Sequence, residues 1–219
     1  MRFKKVMKTA TKEGYYRHDP CEEVKSKINP STALKENLEV EEYLALLKTP
    51  CVHEEVQEGF IFCCYTGLRF CDVDVLDWEH SKKDTLTTRI IQRKTGQPVV
   101  LTLHPIAKAI LEKRRQRLEH IDPAANVFHL PTHAGSNIVL KKWVHDAGIQ
   151  KKITWSCARL SFSILLQDKN VDDATVACLL GHTTTAQVRE RYKRHRAKDQ
   201  AATISNLPSP DTLPYFLQL

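Results

Sequence analysis

The stretch from Ile153 to His195 constrains the fold more than any other part of the chain. Its apolar positions recur at helical spacing, and it holds a single glycine, Gly181. Phe162, Leu165 and Leu166 follow Arg159 with the period of a helix face, which predicts a buried helix with that arginine near its start. Asp172 and Asp173 carry side-chain oxygens suited to capping free N–H groups, and Val176, Leu179 and Leu180 then supply the buried face of a second helix. Gly181 ends that helix, because glycine enters the left-handed conformation that closes helices without steric cost. His182 therefore lies just past a helix end, where its ring can face a cleft. Tyr192 falls four residues after Val188, within a third helix.

The charge around Tyr192 points to a chemistry. Arg189, Arg191, Lys193, Arg194, Arg196 and Lys198 surround one phenol. Arginines, a histidine and a tyrosine together suit a phosphodiester: planar guanidinium groups fork two hydrogen bonds onto phosphate oxygens, and a tyrosine oxygen can attack phosphorus. Read as residues alone, the same pattern also fits a core tyrosine and a Gly-His helix cap.

A chain of 219 residues can bury a full core, as one large domain or as a domain with an appendage. The net charge of +7 and a pI near 9.0 favour a polyanionic partner. The longest apolar run, Phe60 to Leu68, is too short to span a bilayer, and the basic N-terminus lacks the apolar region of a secretory signal. Seven cysteines form no Cys-x-x-Cys pair. Cys63, Cys64, Cys71 and Cys178 sit in apolar contexts and read as buried free thiols of a reducing compartment. His129 and His133 have the spacing of metal ligands, but Pro131 between them breaks the helix that would align them, so no metal is expected.

Residues 1–18 read as a basic helix and residues 19–36 as an extended linker with Pro20 and Pro30. A helix from Glu39 is expected to bury Val40, Tyr43, Leu44 and Leu47, and Pro50 to end it. A further helix, Glu54 to Thr66, carries Val56, Phe60, Ile61, Cys63 and Cys64 inward. In Thr66-Gly67-Leu68-Arg69, Gly67 allows a tight turn that holds Arg69, and Asp72 is placed to fix its fork. The alternative is a surface arginine opening a helix with Val73, Val75 and Leu76. Leu86–Gln92 and Val99–Leu103 are β-rich and flank a hairpin tip, Arg93 to Pro98, that contains Lys94. Pro105 opens a helix with Ile106, Ala109, Ile110 and Leu111 inward and Lys113, Arg114, Arg115 and Arg117 outward, either solvated or on a nucleic acid. Residues 121–138 read as loop and Leu140–Ala147 as a short helix with Trp143. The tail from Ser205, with Leu213, Tyr215, Phe216 and Leu217, reads as an arm that docks on a protein surface.

Taken together, Thr-Gly-Leu-Arg69, the Lys94-Thr-Gly hairpin, Ala-Arg159, Leu-Leu-Gly-His182 and Tyr192 resemble the motif series of the tyrosine recombinases, the phage-type integrases. The resemblance spans about Leu38 to Arg196 and is strongest to integrases of bacterial conjugative and other mobile elements. It implies an α+β, mainly helical catalytic fold with a small antiparallel sheet. It also implies roles. Tyr192 attacks a DNA phosphate to give a 3′-phosphotyrosyl link, Arg69, Arg159 and His182 hold the non-bridging oxygens, and Lys94 protonates the leaving 5′-oxygen. No cofactor or metal is required. The partners implied are double-stranded DNA and further copies of the chain, as a tetramer on DNA, in a bacterial cytoplasm. Residues 1–20 would then close a preceding core-binding domain, 21–37 form a linker, 38–204 the catalytic domain and 205–219 a tail.

One position departs from the family's pattern, which places a histidine three residues before Arg159; here it is Ser156. A serine cannot serve as a base near neutral pH, and its expected role is to cap the helix beginning near Cys157. Two other readings share the fold: a DNA-binding module whose catalysis has decayed, and a type IB topoisomerase.

Overall fold

The computed structural model describes residues 2–24, 35–82, 84–91, 98–182, 184–186 and 188. They fall into two units that divide between Leu34 and Lys35. The first holds α1 (Arg2–Lys12), a basic helix whose Phe3 and Val6 are exposed. The second contains α2 (Val40–Lys48), α3 (Glu54–Thr66), α4 (Phe70–Asp74), β1 (Thr85–Ile91), β2 (Pro98–Thr102), α5 (Pro105–Arg115), α6 (His133–Asp146), α7 (Trp155–Asp168) and α8 (Asp173–Leu179). It is the mainly helical α+β arrangement that the motif series implies. Among the described residues, no helix is long and apolar enough to cross a membrane.

The second unit is built around α3. Val56, Phe60, Ile61, Phe62, Cys63 and Cys64 are all buried, so this helix is apolar on nearly every side and has neighbours on every side: α4, α5, α6 and α7 pack on it. Phe60 meets Trp143 of α6 and Trp155 of α7 edge-on, at centroid distances of 6.2 and 5.6 Å. Burying such a side chain is worth roughly 1.5–3 kcal/mol. β1 and β2 pair antiparallel, with Leu86 opposite Leu101 and an irregularity between Thr87 and Ile91. Val99, Leu101 and Leu103 point to the core while Val100 is exposed, the alternation of a sheet covered on one face. A smaller cluster of Val176, Ala177, Leu180 and Val188 lies beside Phe162, Leu166 and Val171.

Four expectations from the sequence change. In α2 the buried residues are Tyr43 and Leu46, while Val40, Leu44 and Leu47 are largely exposed. Polar anchors set this rotation: the Tyr43 hydroxyl donates to the Cys64 carbonyl, and Lys151 donates to Glu42 and to the Asn37 carbonyl. In α5, Ala107 rather than Ala109 is buried, and Arg114 turns inward. It donates to the Val127 carbonyl at 2.7 Å and to Glu58 and Glu55 of α3, each at 2.6 Å. Helix α6 begins at His133, well before Leu140, because the Thr132 hydroxyl accepts from the Gly135 N–H and Pro131 precedes that cap. Finally, Cys71 and Cys178 are exposed, whereas Cys63, Cys64 and Cys157 are buried. Periodicity misjudged the first pair because each sits on a short helix with only one covered side.

Candidate active site

Helix α3 stops at Gly67, which has φ 69° and donates its N–H to the Cys63 carbonyl at 2.9 Å. No other residue fits there. A Cβ would lie 2.6 Å from Phe162 and 2.9 Å from Leu180, besides the strain of a left-handed backbone. Two residues on, Arg69 caps α4 and folds back on Asp72. Its backbone N–H and its Nε donate to Oδ2 at 3.1 and 2.9 Å, and Nη2 donates to Oδ1 at 3.2 Å. The Nε–Nη2 edge of this guanidinium is thus fixed by Asp72, and the Nη1–Nη2 edge is not used by Asp72. The arginine side chain is 59% exposed and the aspartate 14%, so the carboxylate anchors an arginine that reaches outward.

Helix α7 begins at Trp155, with Thr154 as its capping residue. Ser156 is therefore not the cap expected of it. It stands in the first turn, exposed, with its hydroxyl 3.0 Å from that of Thr154, while Cys157 Sγ accepts from the Thr154 N–H. The helix buries Cys157, Ala158, Leu160 and Ile164. Phe162 and Leu166 are half-buried against the smaller cluster, and Leu165 against the larger.

Arg159 points between α3 and α8. Nη1 donates to the Gly67 carbonyl at 2.7 Å, and Nη2 donates to the Leu180 carbonyl at 2.6 Å and to His182 Nε2 at 3.0 Å. Both carbonyls belong to helix ends, where unsatisfied C=O groups carry the negative end of the helix dipole. One guanidinium thereby neutralises two converging C-termini. Helix α8 is built for this. Asp172 Oδ1 accepts from the Ala174 and Thr175 N–H groups at its start. At its end Gly181 takes φ 63°, its N–H bonds the Cys178 carbonyl, and the His182 N–H bonds the Ala177 carbonyl at 2.8 Å. This paired closure places the imidazole of His182 against Arg159.

The electrostatics of the buried Cys63 thiol tie these groups together. Burial pushes its pKa well up, Cys64, Asp72 and Cys71 push it further, and Arg159 pulls it down. Asp72 and Arg159 therefore both lie within electrostatic reach of one sulfur. Among the described residues, no cluster of His, Cys, Asp and Glu is arranged to hold a metal ion.

The fold thus brings Arg159 to His182 and both to the Gly67 turn, which carries Arg69 and Asp72. Ser156 is one helical turn from Arg159, on the exposed side. Lys94 and Tyr192 lie outside the described residues. Sequence reasoning missed the Gly67 and Leu180 carbonyls. Thr-Gly and Leu-Gly mark two helix C-termini, but nothing in the residue types marks that the two ends converge on one cation.

A model of the phage integrase family matches residues 36–199. Among solved structures, XerA recombinase superposes with a TM-score of 0.67 at 16% identity, covering 95% of this chain and 82% of that one. The Tn1549 transposon integrase, in complex with circular intermediate DNA, gives a TM-score of 0.69 at 14% identity over 92% and 75% of the two chains. Lambda integrase matches as a dimer bound to a COC′ core site, with a TM-score of 0.64, 18% identity and coverages of 89% and 72%. It also matches as a tetramer bound to a Holliday junction, with a TM-score of 0.62 at 19% identity and coverages of 89% and 59%. No curated protein matches in sequence.

Proposed function

The chain belongs to the phage integrase family, and from that premise we propose that it is a site-specific DNA recombinase whose catalytic residues are Arg69, Lys94, Arg159, His182 and Tyr192. The observation that carries this reading is the meeting of Arg159, His182 and the Gly67 turn, three motifs distant in sequence and joined by hydrogen bonds of 2.6–3.0 Å.

Tyr192 attacks the scissile phosphate, forming a 3′-phosphotyrosyl bond and freeing a 5′-hydroxyl. A tyrosine has an ordinary pKa of about 10, so the surrounding cations must favour its phenolate. Arg69, held by Asp72, and Arg159 hydrogen-bond the non-bridging oxygens, with His182 beside Arg159. Charge on those oxygens grows toward the pentacoordinate state, so donors already in place lower the barrier most there. Lys94 protonates the leaving 5′-oxygen. The covalent link conserves the energy of the broken bond, and attack by a second DNA end reverses the step. Strand exchange needs paired sites, and the tetramer on a Holliday junction formed by lambda integrase offers the arrangement. We propose the same self-association on double-stranded DNA for this chain, for integration or excision of a mobile element.

The test is covalent trapping. The protein is incubated with nicked duplexes of randomised sequence, from which the short 5′-hydroxyl strand is lost after cleavage, and run on a denaturing gel. A protein–DNA band that disappears in Tyr192→Phe is expected. A protein that binds these duplexes yet never forms the band is a binding module and not a recombinase.

A further inference from the structure

The hydrogen bonds at Arg159 fix a proton on its neighbour. A guanidinium has five N–H donors and no acceptor, so in the 3.0 Å contact His182 Nε2 must be the acceptor. A nitrogen that accepts carries no proton. The imidazole beside Arg159 is therefore neutral, with its proton on Nδ1, and Nδ1 is buried. In this state His182 cannot donate Nε2–H to a phosphate oxygen.

The same contact occupies Arg159. Both Nη2 protons are taken, by the Leu180 carbonyl at 2.6 Å and by His182, and one Nη1 proton by the Gly67 carbonyl at 2.7 Å. Each two-pronged edge of a guanidinium, Nη1–Nη2 or Nε–Nη2, includes Nη2. Arg159 can offer a fork to a phosphate only after Nη2 releases one partner. The two carbonyls belong to packed helix ends, with Gly67 wedged against Phe162 and Leu180. The imidazole is the partner that can leave.

We propose that the Arg159–His182 hydrogen bond is a resting lock, and that an oxyanion opens it by exchange: one oxygen takes the Nη2–H that His182 had accepted, and His182 Nε2 takes up a proton from water and donates it to the same oxyanion. The balance is one proton gained by the protein and one hydroxide left in solution for each anion bound, with no covalent bond changed. The exchange rests on the reading of His182 as a phosphate ligand. Among the described residues, the charged groups near the pair are Arg159 itself on α7 and, across the Gly67 turn, the Arg69–Asp72 pair. An imidazolium beside Arg159 is opposed by that guanidinium, and the bound anion removes the opposition. Proton uptake thus accompanies anion binding and does not precede it.

The test uses the whole chain with ¹⁵N-labelled histidine and arginine side chains at pH 7.5, His182 being assigned by its loss in His182→Gln. Sulfate, a tetrahedral dianion that does not itself titrate at this pH, is the probe. The expected resting spectrum shows His182 protonated at Nδ1 and bare at Nε2. Sulfate added until the Arg159 signal stops moving converts His182 to the doubly protonated form, and calorimetry in two buffers of different ionisation enthalpy records the proton taken up. A resting His182 already protonated at Nε2 overturns the lock. So does an Arg159 signal that responds to sulfate while Nε2 stays bare, or one that never responds. Trapping through Tyr192 is a separate measurement: a chain that shows the exchange but traps no DNA refutes the recombinase reading and leaves the lock standing.

Discussion

At the scale of single residues, the site depends on positions that tolerate little substitution and on one that invites it. Gly67 is of the first kind. Gly67→Ala places a side chain at φ 69° and within 3 Å of Phe162 and Leu180. The left-handed backbone costs about 1–2 kcal/mol and the overpacking about 1–3 kcal/mol. The expected urea midpoint falls accordingly, and covalent trapping falls further, because the carbonyl that holds Arg159 must move; unchanged trapping would separate the turn from catalysis. Ser156 is of the second kind. It is exposed one turn before Arg159, with its hydroxyl bonded to that of Thr154 at 3.0 Å. Ser156→His supplies an imidazole one turn from Arg159 as a base for the proposed nucleophile Tyr192. Positioned general bases are worth about 10²- to 10⁴-fold, and a pocket adapted to serine should recover roughly tenfold. Single-turnover cleavage is the measurement, with Tyr192→Phe abolishing the covalent product in both backgrounds. A flat result makes water or another group the base. That Arg69 and Arg159 can fork hydrogen bonds onto an oxyanion was legible in the sequence, because guanidinium chemistry is intrinsic to the residue. The acceptors that orient Arg159 were not, because backbone carbonyls leave no mark in residue type.

At the scale of elements, the α3–α5 contact is held by charge as much as by apolar burial. Arg114 is 7% exposed and its side chain reaches Glu55, Glu58 and the Val127 carbonyl, with its guanidinium 4.7 Å over the Phe128 ring. Arg114→Ala leaves the buried Glu58 with Lys113 alone and Glu55 with the His129 N–H alone, and is expected to cost about 3 kcal/mol in chemical denaturation. Arg114→Met with Glu58→Leu should recover part of that loss, since the pair goes together; no recovery would mean that packing, not charge, is what Arg114 supplies. The rim of the same contact sets an acid limit. Hydrogen bonds from Arg117 and Lys113 hold Glu54 down at about 2, against an ordinary value of 4.5. Glu55 is also lowered: burial works against its charge, but hydrogen bonds from Arg114 and the His129 N–H outweigh it. A depressed folded-state pKa contributes stability that is complete above the unfolded value and is lost as pH falls through the folded one. The thermal midpoint should therefore be flat above about pH 5 and drop between pH 4.5 and 2. Arg117→Gln should reduce the drop.

At the scale of the whole molecule, the basic residues of α5 do not form the outward face that periodicity gave them. The basic face read on α5 is largely paired with α3: Lys113 and Arg117 form surface ion pairs with Glu54, and the buried Arg114 pairs with Glu55 and Glu58. DNA affinity should still fall with salt, by a log-log slope of about −0.9 per phosphate neutralised. Lys113→Gln should leave that slope unchanged, whereas Arg69→Gln should make it shallower by about 0.9. Equal effects of the two would put α5 on the DNA after all.

What the amino-acid sequence determined by itself was local: α3 and α8 and their glycine stops, the two strands, and the order of Arg69, Arg159 and His182 along the chain. These follow from side-chain period, capping chemistry and the freedom of glycine at positive φ, all of which act within a few residues. Tertiary structure decided the rest. It turned Arg114 inward, rotated α2 onto Tyr43 and Leu46, exposed Cys71 and Cys178, and started α6 at His133. It also set Arg159 against two helix ends and His182. Each of these depends on which polar partner a distant segment presents, and a buried charge settles where its partner is, whatever the period of its own helix.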